Sequence, residues 1–318
     1  MRHVTVRQLQ IFVAAADTGS FARAAERLRV SPAAVSFQIK QVESMSGFEL
    51  FERIGRNSVL SEAGRALLGY ARTVLQALAD ADLSLTALRG ATGGRVTIGL
   101  ISTAKYIVPH ILARFQAAHP AVAIHLRDGN RRQIAEALDK GDIELAVMGR
   151  PPEGADVAAE AFAEHPSVVV AAPDHRLAGK PALPRAALAG ETFIVREEGS
   201  GTRQLMDQSF REAGIAVRIG MTSSSNETIK QAVMAGMGVA LISQHTIGLE
   251  LALGLVRILP VEGFPLMRSW YVAHRRSMPL LPAHARLRAF LLEHGQGVVE
   301  GLEHRYRERF APGQFARG

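Results

Sequence analysis

What most restricts the fold of this chain is a change of hydrophobic period at the glycine-rich stretch GATGG, residues 90–94. Before it, apolar residues recur only at helical spacing. After it, short runs with strand-like alternation are separated by amphipathic segments of helix length. A helical unit and a β/α-alternating segment bury their apolar faces in different ways and do not share one core. The 318 residues are therefore read as two or three domains, with a hinge at 90–94.

Residues 5–17 place Leu9, Phe12, Val13 and Ala16 on one helix face, and Gly19 ends that helix. Ser20 caps a second helix, in which Phe21, Ala24, Ala25 and Leu28 repeat the spacing. Ser31 and Pro32 open a third as N-cap and first helical residue. On a helical wheel Val35, Ile39 and Val42 share one side, while Ala33, Ser36, Phe37, Lys40 and Gln41 occupy the other. Three short helices, the last with a compact polar outer face, describe a helix-turn-helix unit. Small residues let a helix sink into a DNA groove. Ser36, Lys40 and Gln41 can donate to base edges or phosphates, and Phe37 can pack on a thymine methyl. With Ser31, Pro32 and Ala33 they form the candidate DNA-binding set. The stretch ELFERIGRNSVL, residues 49–60, then reads as a small wing whose turn is flanked by Arg53 and Arg56. Such arginines reach phosphates or a narrow minor groove. A plain three-helix surface with solvated arginines is the bland alternative, and the adjacent wing weakens it.

From Ser61 onward Leu67, Ala71, Val74, Leu78, Ala81, Leu85 and Leu88 step by four and three. That is a heptad seam, expected to dimerise. The alternative is a long helix packed on its own domain. The stretch from RQLQIF to LSEAG, and LFERIGRNSVLSEAG above all, resembles the N-terminal winged helix-turn-helix of LysR-type transcriptional regulators. The resemblance implies that residues 1–60 bind double-stranded DNA, 61–90 form a linker and dimerisation helix, and 91–318 bind an effector. It also implies a homodimer or homotetramer and action with RNA polymerase at a promoter. Pro32 stands where Gln is common in that family, Ala33 where Pro is, and Phe37 where Arg is. All three face outward, so these departures bear on sequence preference rather than on DNA binding.

The second half reads as two α/β lobes. RVTIGLIS, AVAIHLRDG and IELAVMGRP alternate with helices in a βαβαβ run, hence a mostly parallel sheet, and SVVVAAPD starts a second such set. The expected fold is thus α/β with an N-terminal all-α winged helix-turn-helix, a long linker helix, and a two-lobed effector domain like the periplasmic binding proteins. Lobe 1 would span about 91–161 and 266–295, and lobe 2 about 162–265. The tail from about 296, rich in Gly and charge, is read as loosely ordered. Ligands of open α/β sheets sit beyond strand C-termini, on helix N-termini. Three hydroxyl-rich helix starts and nearby cations mark that place: Ser102, Thr103 and Lys105; Gly201, Thr202 and Arg203; Ser225 and Asn226; with Arg150 beside them. Taken singly, each segment is better read as an ordinary helix cap. Together they suit a small anion.

STAKYIVPHIL, AVMGRPP, EEGSGTR and SSNETIKQAVMAGMGVALIS resemble the LysR-type regulators of carbon-fixation (Calvin-cycle) operons, the CbbR subgroup. That resemblance implies an effector such as ribulose 1,5-bisphosphate or another phosphorylated metabolite. Another metabolic operon with a carboxylate effector is the alternative.

Composition limits the rest. There is no cysteine, which removes disulfides and thiolate-ligated metals. The net charge of +7 favours a polyanionic partner. No apolar run reaches the ~18 residues of a membrane helix, so no membrane partner and a cytoplasmic location are expected. G-x-S-x-G, Walker and H-E-x-x-H patterns are missing, and Gly236-Met-Gly238 lacks the rest of a dinucleotide fingerprint. His274 and His284 read as surface or packing residues. No enzyme activity, cofactor or metal is expected. A solute-binding or prephenate-dehydratase-like module without a regulatory role would fit the second half alone, and the first 60 residues argue against it.

Overall fold

The computed structural model describes the backbone at residues 3–54, 57–88, 93–152 and 156–309, with side chains at these positions except 53, 54, 57, 76, 80, 82–88 and 307–309. Two compact units divide at residue 90. Of the expected hinge, 90–92 lie outside the described residues.

The first unit runs α1 (Val6–Thr18), α2 (Phe21–Leu28), α3 (Pro32–Ser46), β1 (Phe51–Ile54), β2 (Asn57–Leu60) and α4 (Glu62–Leu88). Its helix starts are locally determined. Thr5 and Gln8 form a reciprocal capping box, and Ser20 and Ser31 accept from the backbone N–H groups of Arg23 and Ala34. Phe12, Ala15, Ala24, Val35, Ile39, Val42 and Leu50 make the core. β1 and β2 pair antiparallel from Phe51↔Leu60 to Ile54↔Asn57, which is the expected wing.

The expected seam on α4 needs correction at its start. Ala71 is buried in the unit's own core, with Leu67 packed against it, and Arg72 pairs with Asp17 of α1 at 2.7 Å. These residues are used within the chain because the first turns of α4 lie on α1. Val74 (45% exposed), Leu78 (42%) and Ala81 continue the stripe and are exposed. The side chains of Leu85 and Leu88 lie outside the described residues.

The second unit continues with β3 (Gly94–Ile101), α5 (Val108–Ala118), β4 (Val122–Gly129), α6 (Arg131–Asp139), β5 (Leu145–Met148) and β6 (Val157–Glu164). Then come β7 (Ser167–Ala171), β8 (Thr192–Arg196), α7 (Gly201–Glu212), β9 (Arg218–Ser223), α8 (Asn226–Met234), β10 (Ala240–Ser243), α9 (Gly248–Ala252) and β11 (Arg257–Ile258). β12 (Ser269–Arg275) and α10 (Pro282–Arg309) close it. Lobe 1 carries the sheet β4-β3-β5-β12-β6. β3 is parallel to β4 and β5, as a βαβαβ run requires, whereas β12 is antiparallel to β5 and β6.

Lobe 2 departs from the expected parallel set. β7 is antiparallel to both β10 and β11, whereas β8 pairs parallel with β9 and makes one parallel bridge, Phe193↔Val239. The apolar run SVVVA could not reveal this, because a strand covered on both faces loses its alternation. Val169 and Ala171 indeed enter one core cluster, and Val168 and Val170 the other. The chain crosses between lobes at His165–Ser167, a few residues past the expected boundary, and returns at Leu266–Arg268. The two crossings hydrogen-bond to each other, His165 N–H to Arg268 C=O at 2.8 Å and Ser167 N–H to Leu266 C=O at 3.0 Å.

α10 continues through 309, which corrects the reading of a loose tail. Val298, Val299 and Leu302 are buried beyond Leu287 and Leu291. Gly295 is tolerated inside the helix because Phe162 occupies the space its side chain would need.

Two glycines between α8 and β10 give a stability test. Gly236 has φ +75° and open space around it. Gly238 has φ +154°, and a Cβ there would sit 2.2 Å from the Thr192 carbonyl oxygen. Gly236→Ala is expected to cost about 1–2 kcal/mol from backbone conformation. Gly238→Ala should cost more than about 2 kcal/mol, because backbone must move. Urea denaturation of both variants, followed by circular dichroism, gives the order.

Candidate DNA-reading face and interlobe cleft

The third helix presents the two faces its sequence predicts. Val35, Ile39 and Val42 are buried, and Ala33, Phe37 (58% exposed), Lys40 and Gln41 are exposed, with Ser36 half-buried. Ser31 caps the helix and Pro32 occupies its first position. Gln41 does not project freely: its side-chain oxygen accepts from Nε2 of the buried Gln8 at 2.9 Å. Gln8 was missed as a positioning residue. The T-x-x-Q capping pattern was the available signal. Arg53 lies on β1 with its side chain outside the described residues, and Arg56 lies outside them altogether.

Between the lobes a cleft opens at the strand ends. Ser102 and Thr103 follow β3, Gly149 and Arg150 follow β5, and Arg131 begins α6. From lobe 2, Arg196 ends β8 and Ser200, Gly201 and Thr202 open α7, with Arg268 at the crossover. Of the expected residues, Ser102, Thr103, Arg150, Gly201 and Thr202 come together here. Arg131, Arg196, Ser200 and Arg268 were missed. Arg131 and Arg196 stood at a helix start and a strand end, where the same rule applies. Arg268 had no local signal, since only the return crossing brings it in.

The other expected residues do not line this cleft. Lys105 is exposed and pairs with Asp128 at 3.1 Å. Arg203 turns to Asp207 (2.9 Å) and to the Arg196 carbonyl. Ser225 caps α8. Asn226 stands one layer behind, accepting from Arg196 Nη1 at 2.7 Å and donating to the Ser102 carbonyl at 3.1 Å. Tyr106 of lobe 1 donates to Glu227 of lobe 2, so this helix start joins the lobes. Burial, with Glu227 beside it, pushes the Tyr106 hydroxyl well above its ordinary value, so it stays a donor.

The charged residues that line the cleft are all arginines. Arg131 Nε donates to the Arg150 carbonyl at 2.9 Å, and Arg268 reaches the Gly201 carbonyl at 3.3 Å. Arg268 Nε is buried with no hydrogen-bond partner. Burial, then the neighbouring Arg150 and Arg131, pull Arg268 down to about 10 from its usual 12.5. Crowded cations of this kind are relieved by an anion, and the N-termini of α6 and α7 add positive potential. Beneath Gly149 lies His165, fully buried, whose Nδ1 a Cβ on Gly149 would meet at 2.8 Å. His165 is held neutral by burial and by Arg268. Among the described residues no cluster of His, Asp or Glu could hold a metal, and no helix is long and apolar enough to cross a membrane.

Known protein families match both units. The bacterial regulatory helix-turn-helix protein family, lysR, matches residues 6–65, and the LysR substrate binding domain matches 89–296. The chain is 45% identical to a RuBisCO operon transcriptional regulator of Allochromatium vinosum, over 91% of this chain and 96% of that one. It is 47% identical to the HTH-type transcriptional regulator CfxR of Cupriavidus necator, over 92% and 93%. The regulatory domain of CcmR from Synechocystis, solved in complex with 2-PG, superposes with a TM-score of 0.61 at 37% identity, covering 63% of this chain and 96% of that one. With the winged helix-turn-helix, the long helix and the two-lobed domain all in place, the chain belongs to the LysR family of bacterial transcriptional regulators.

Proposed function

We propose that this regulator controls a carbon-fixation operon and that its signal is a small phosphorylated anion bound in the interlobe cleft. The observation that carries the reading is the guanidinium cluster of Arg131, Arg150 and Arg268 facing the start of α7. The names of the relatives support the operon, and the 2-PG complex of the Synechocystis domain supports the phosphorylated ligand. Ribulose 1,5-bisphosphate or 2-PG fits the cleft's charge better than a monocarboxylate does, since several guanidiniums need several anionic oxygens.

Mechanistically, Ser102, Thr103, Ser200 and Thr202 supply hydroxyl or backbone donors, and the arginines neutralise the ligand. Because the cleft takes walls from both lobes, the ligand favours one arrangement of them. It acts as a signal only through that difference in affinity. In the first unit, Ser31, Pro32, Ala33, Ser36, Phe37, Lys40 and Gln41 are the reading face, joined by Arg53 and Arg56 of the wing. The exposed Val74, Leu78 and Ala81, followed by Leu85 and Leu88, form the dimer seam. A homodimer or homotetramer on operator DNA, acting with RNA polymerase in the cytoplasm, completes the reading.

Three outcomes test it. In fluorescence anisotropy with DNA from the intergenic region beside the gene, Lys40→Ala should weaken binding and flatten the slope of log K against log salt by about one unit. An unchanged affinity and slope would remove Lys40 from the interface. In calorimetric titrations with ribulose 1,5-bisphosphate and 2-PG, Thr202→Val and Arg150→Ala should weaken binding by about 10- to 100-fold, as loss of a charge-assisted hydrogen bond implies. Wild-type affinity in both variants would place the ligand elsewhere. Since Arg268 must be protonated to hold an anion, affinity should persist through neutral pH and fall as pH rises past about 10. A flat profile to pH 11, in protein still folded by circular dichroism, would show that Arg268 stays protonated there and that its surroundings do not lower it that far.

A further inference from the structure

Residues 102–106 follow β3 in lobe 1, and lobe 2 holds them at both ends. At the first, the Ser102 hydroxyl accepts from Arg196 Nη2 at 2.8 Å, and the Ser102 carbonyl accepts from Asn226 Nδ2 at 3.1 Å. At the last, the Tyr106 hydroxyl donates to Glu227 Oε1. Ser102 and Thr103 of the same run line the cleft. This part of the lobe 1 wall is therefore placed by lobe 2.

The surface that receives Tyr106 is complete without it. Lys230 Nζ donates to Glu227 at 2.8 Å, to Glu250 at 2.7 Å and to the Thr246 carbonyl at 3.1 Å. Those are the three donors of an ammonium, and every partner belongs to lobe 2. Tyr106 adds two contacts to this platform. Its hydroxyl meets Glu227, and its ring lies with its centre 5.0 Å from the ammonium, within cation–π range. The Glu227 side chain is 60% exposed, so water can replace the hydroxyl there. Releasing Tyr106 strands no buried charge. A contact of this kind can open and close at small cost.

We infer that Tyr106 is a positioning residue for effector binding, whose clasp on Glu227 and Lys230 holds the lobe arrangement in which Ser102 and Thr103 stand opposite the start of α7. This rests on the reading of the cleft as the effector site. Tyr106 is not a lining residue of the cleft, so it acts on the population of the competent arrangement rather than on the ligand. Apparent affinity scales with that population. Loss of the clasp therefore weakens all cleft ligands by one factor, whatever their size or charge, and a saturating ligand restores the arrangement.

The chain has no cysteine, so introduced cysteines are its only sites for nitroxide labels. Lys140→Cys on lobe 1 and Arg211→Cys on lobe 2 replace exposed residues. The full-length labelled chain is co-expressed with an excess of the cysteine-free chain, so that distances within one chain are measured. In double electron–electron resonance without ligand, Tyr106→Phe, which keeps the ring and removes the donor, should add a distance population absent from the parent. Glu227→Ala should add the same population, since Lys230 keeps Glu250 and the Thr246 carbonyl. The double variant should go no further than either single one, because both break one bond. In calorimetric titrations, Tyr106→Phe should weaken ribulose 1,5-bisphosphate and 2-PG by the same factor, about 3- to 10-fold for a hydrogen bond to a partly exposed carboxylate. At saturation with either ligand its distances should return to those of the parent. Parental distances in ligand-free, folded Tyr106→Phe, additive effects in the double variant, or weakening of one ligand alone would overturn the inference. If neither ligand binds the parent, the effector assignment fails, and the ligand-free distances still decide whether the clasp holds the lobes.

Discussion

The second unit depends on the Arg196 guanidinium, which is 3% exposed. A buried cation is tolerated only when its donors are satisfied and its charge is matched. Glu197 supplies the charge at 2.9 Å, Asn226 takes Nη1, and the Ser102 hydroxyl takes Nη2 at 2.8 Å. These partners come from β8, the start of α8 and the end of β3. One side chain therefore sets where three strand and helix ends meet across the lobes. The cleft is open beside this knot, because Arg196 is consumed by it while Arg131, Arg150 and Arg268 crowd the adjoining wall.

The same junction separates two electrostatic environments. On the cleft side, Arg150 and Arg131 lie close enough to Arg268 to add to the lowering that burial imposes on it. Toward α10 the fully buried His165 stacks on Trp270 at 3.8 Å between ring centroids, and its Nε2 meets the Ser243 hydroxyl at 3.0 Å. Beyond Trp270 stands His245, then Glu303. Burial holds both histidines neutral, so this layer carries no net charge between the arginines and the glutamate. Lys230 is a second buried cation of lobe 2, and it is matched by Glu227 at 2.8 Å and Glu250 at 2.7 Å. Its ammonium lies 5.0 Å from the centre of the Tyr106 ring, so a lobe 1 side chain covers it.

Legibility from sequence followed the range of the interactions. The caps at Ser20 and Ser31 and the stripe Val35, Ile39 and Val42 were readable because their partners lie within a few residues. Ser102 and Thr202 were readable because strand ends and helix starts mark ligand sites in α/β sheets generally. Lys105 and Arg203 were misplaced for a matching reason. Each found an acidic partner, Asp128 or Asp207, that diverts it from the cleft, and sequence proximity to a site does not report such competition. The α4 seam failed at Ala71 because the same apolar stripe serves an intramolecular and an intermolecular face equally well.

By itself the sequence determined the order of elements, the two-unit division, the two faces of the third helix and the basic, cysteine-free character of the chain. Those are set by periodicity, capping and composition, which act over one or two turns or along a strand. Only the tertiary structure decided that β7 runs antiparallel inside lobe 2, that α10 continues past Gly295 against Phe162, and that Arg268 joins Arg131 and Arg150. Each of these depends on residues far apart in the chain, whose free energy appears only when the lobes have packed. The clasp of Tyr106 on Glu227 and Lys230 has the same origin. These residues carry no common signal along the chain, and they meet because the two lobes pack on each other.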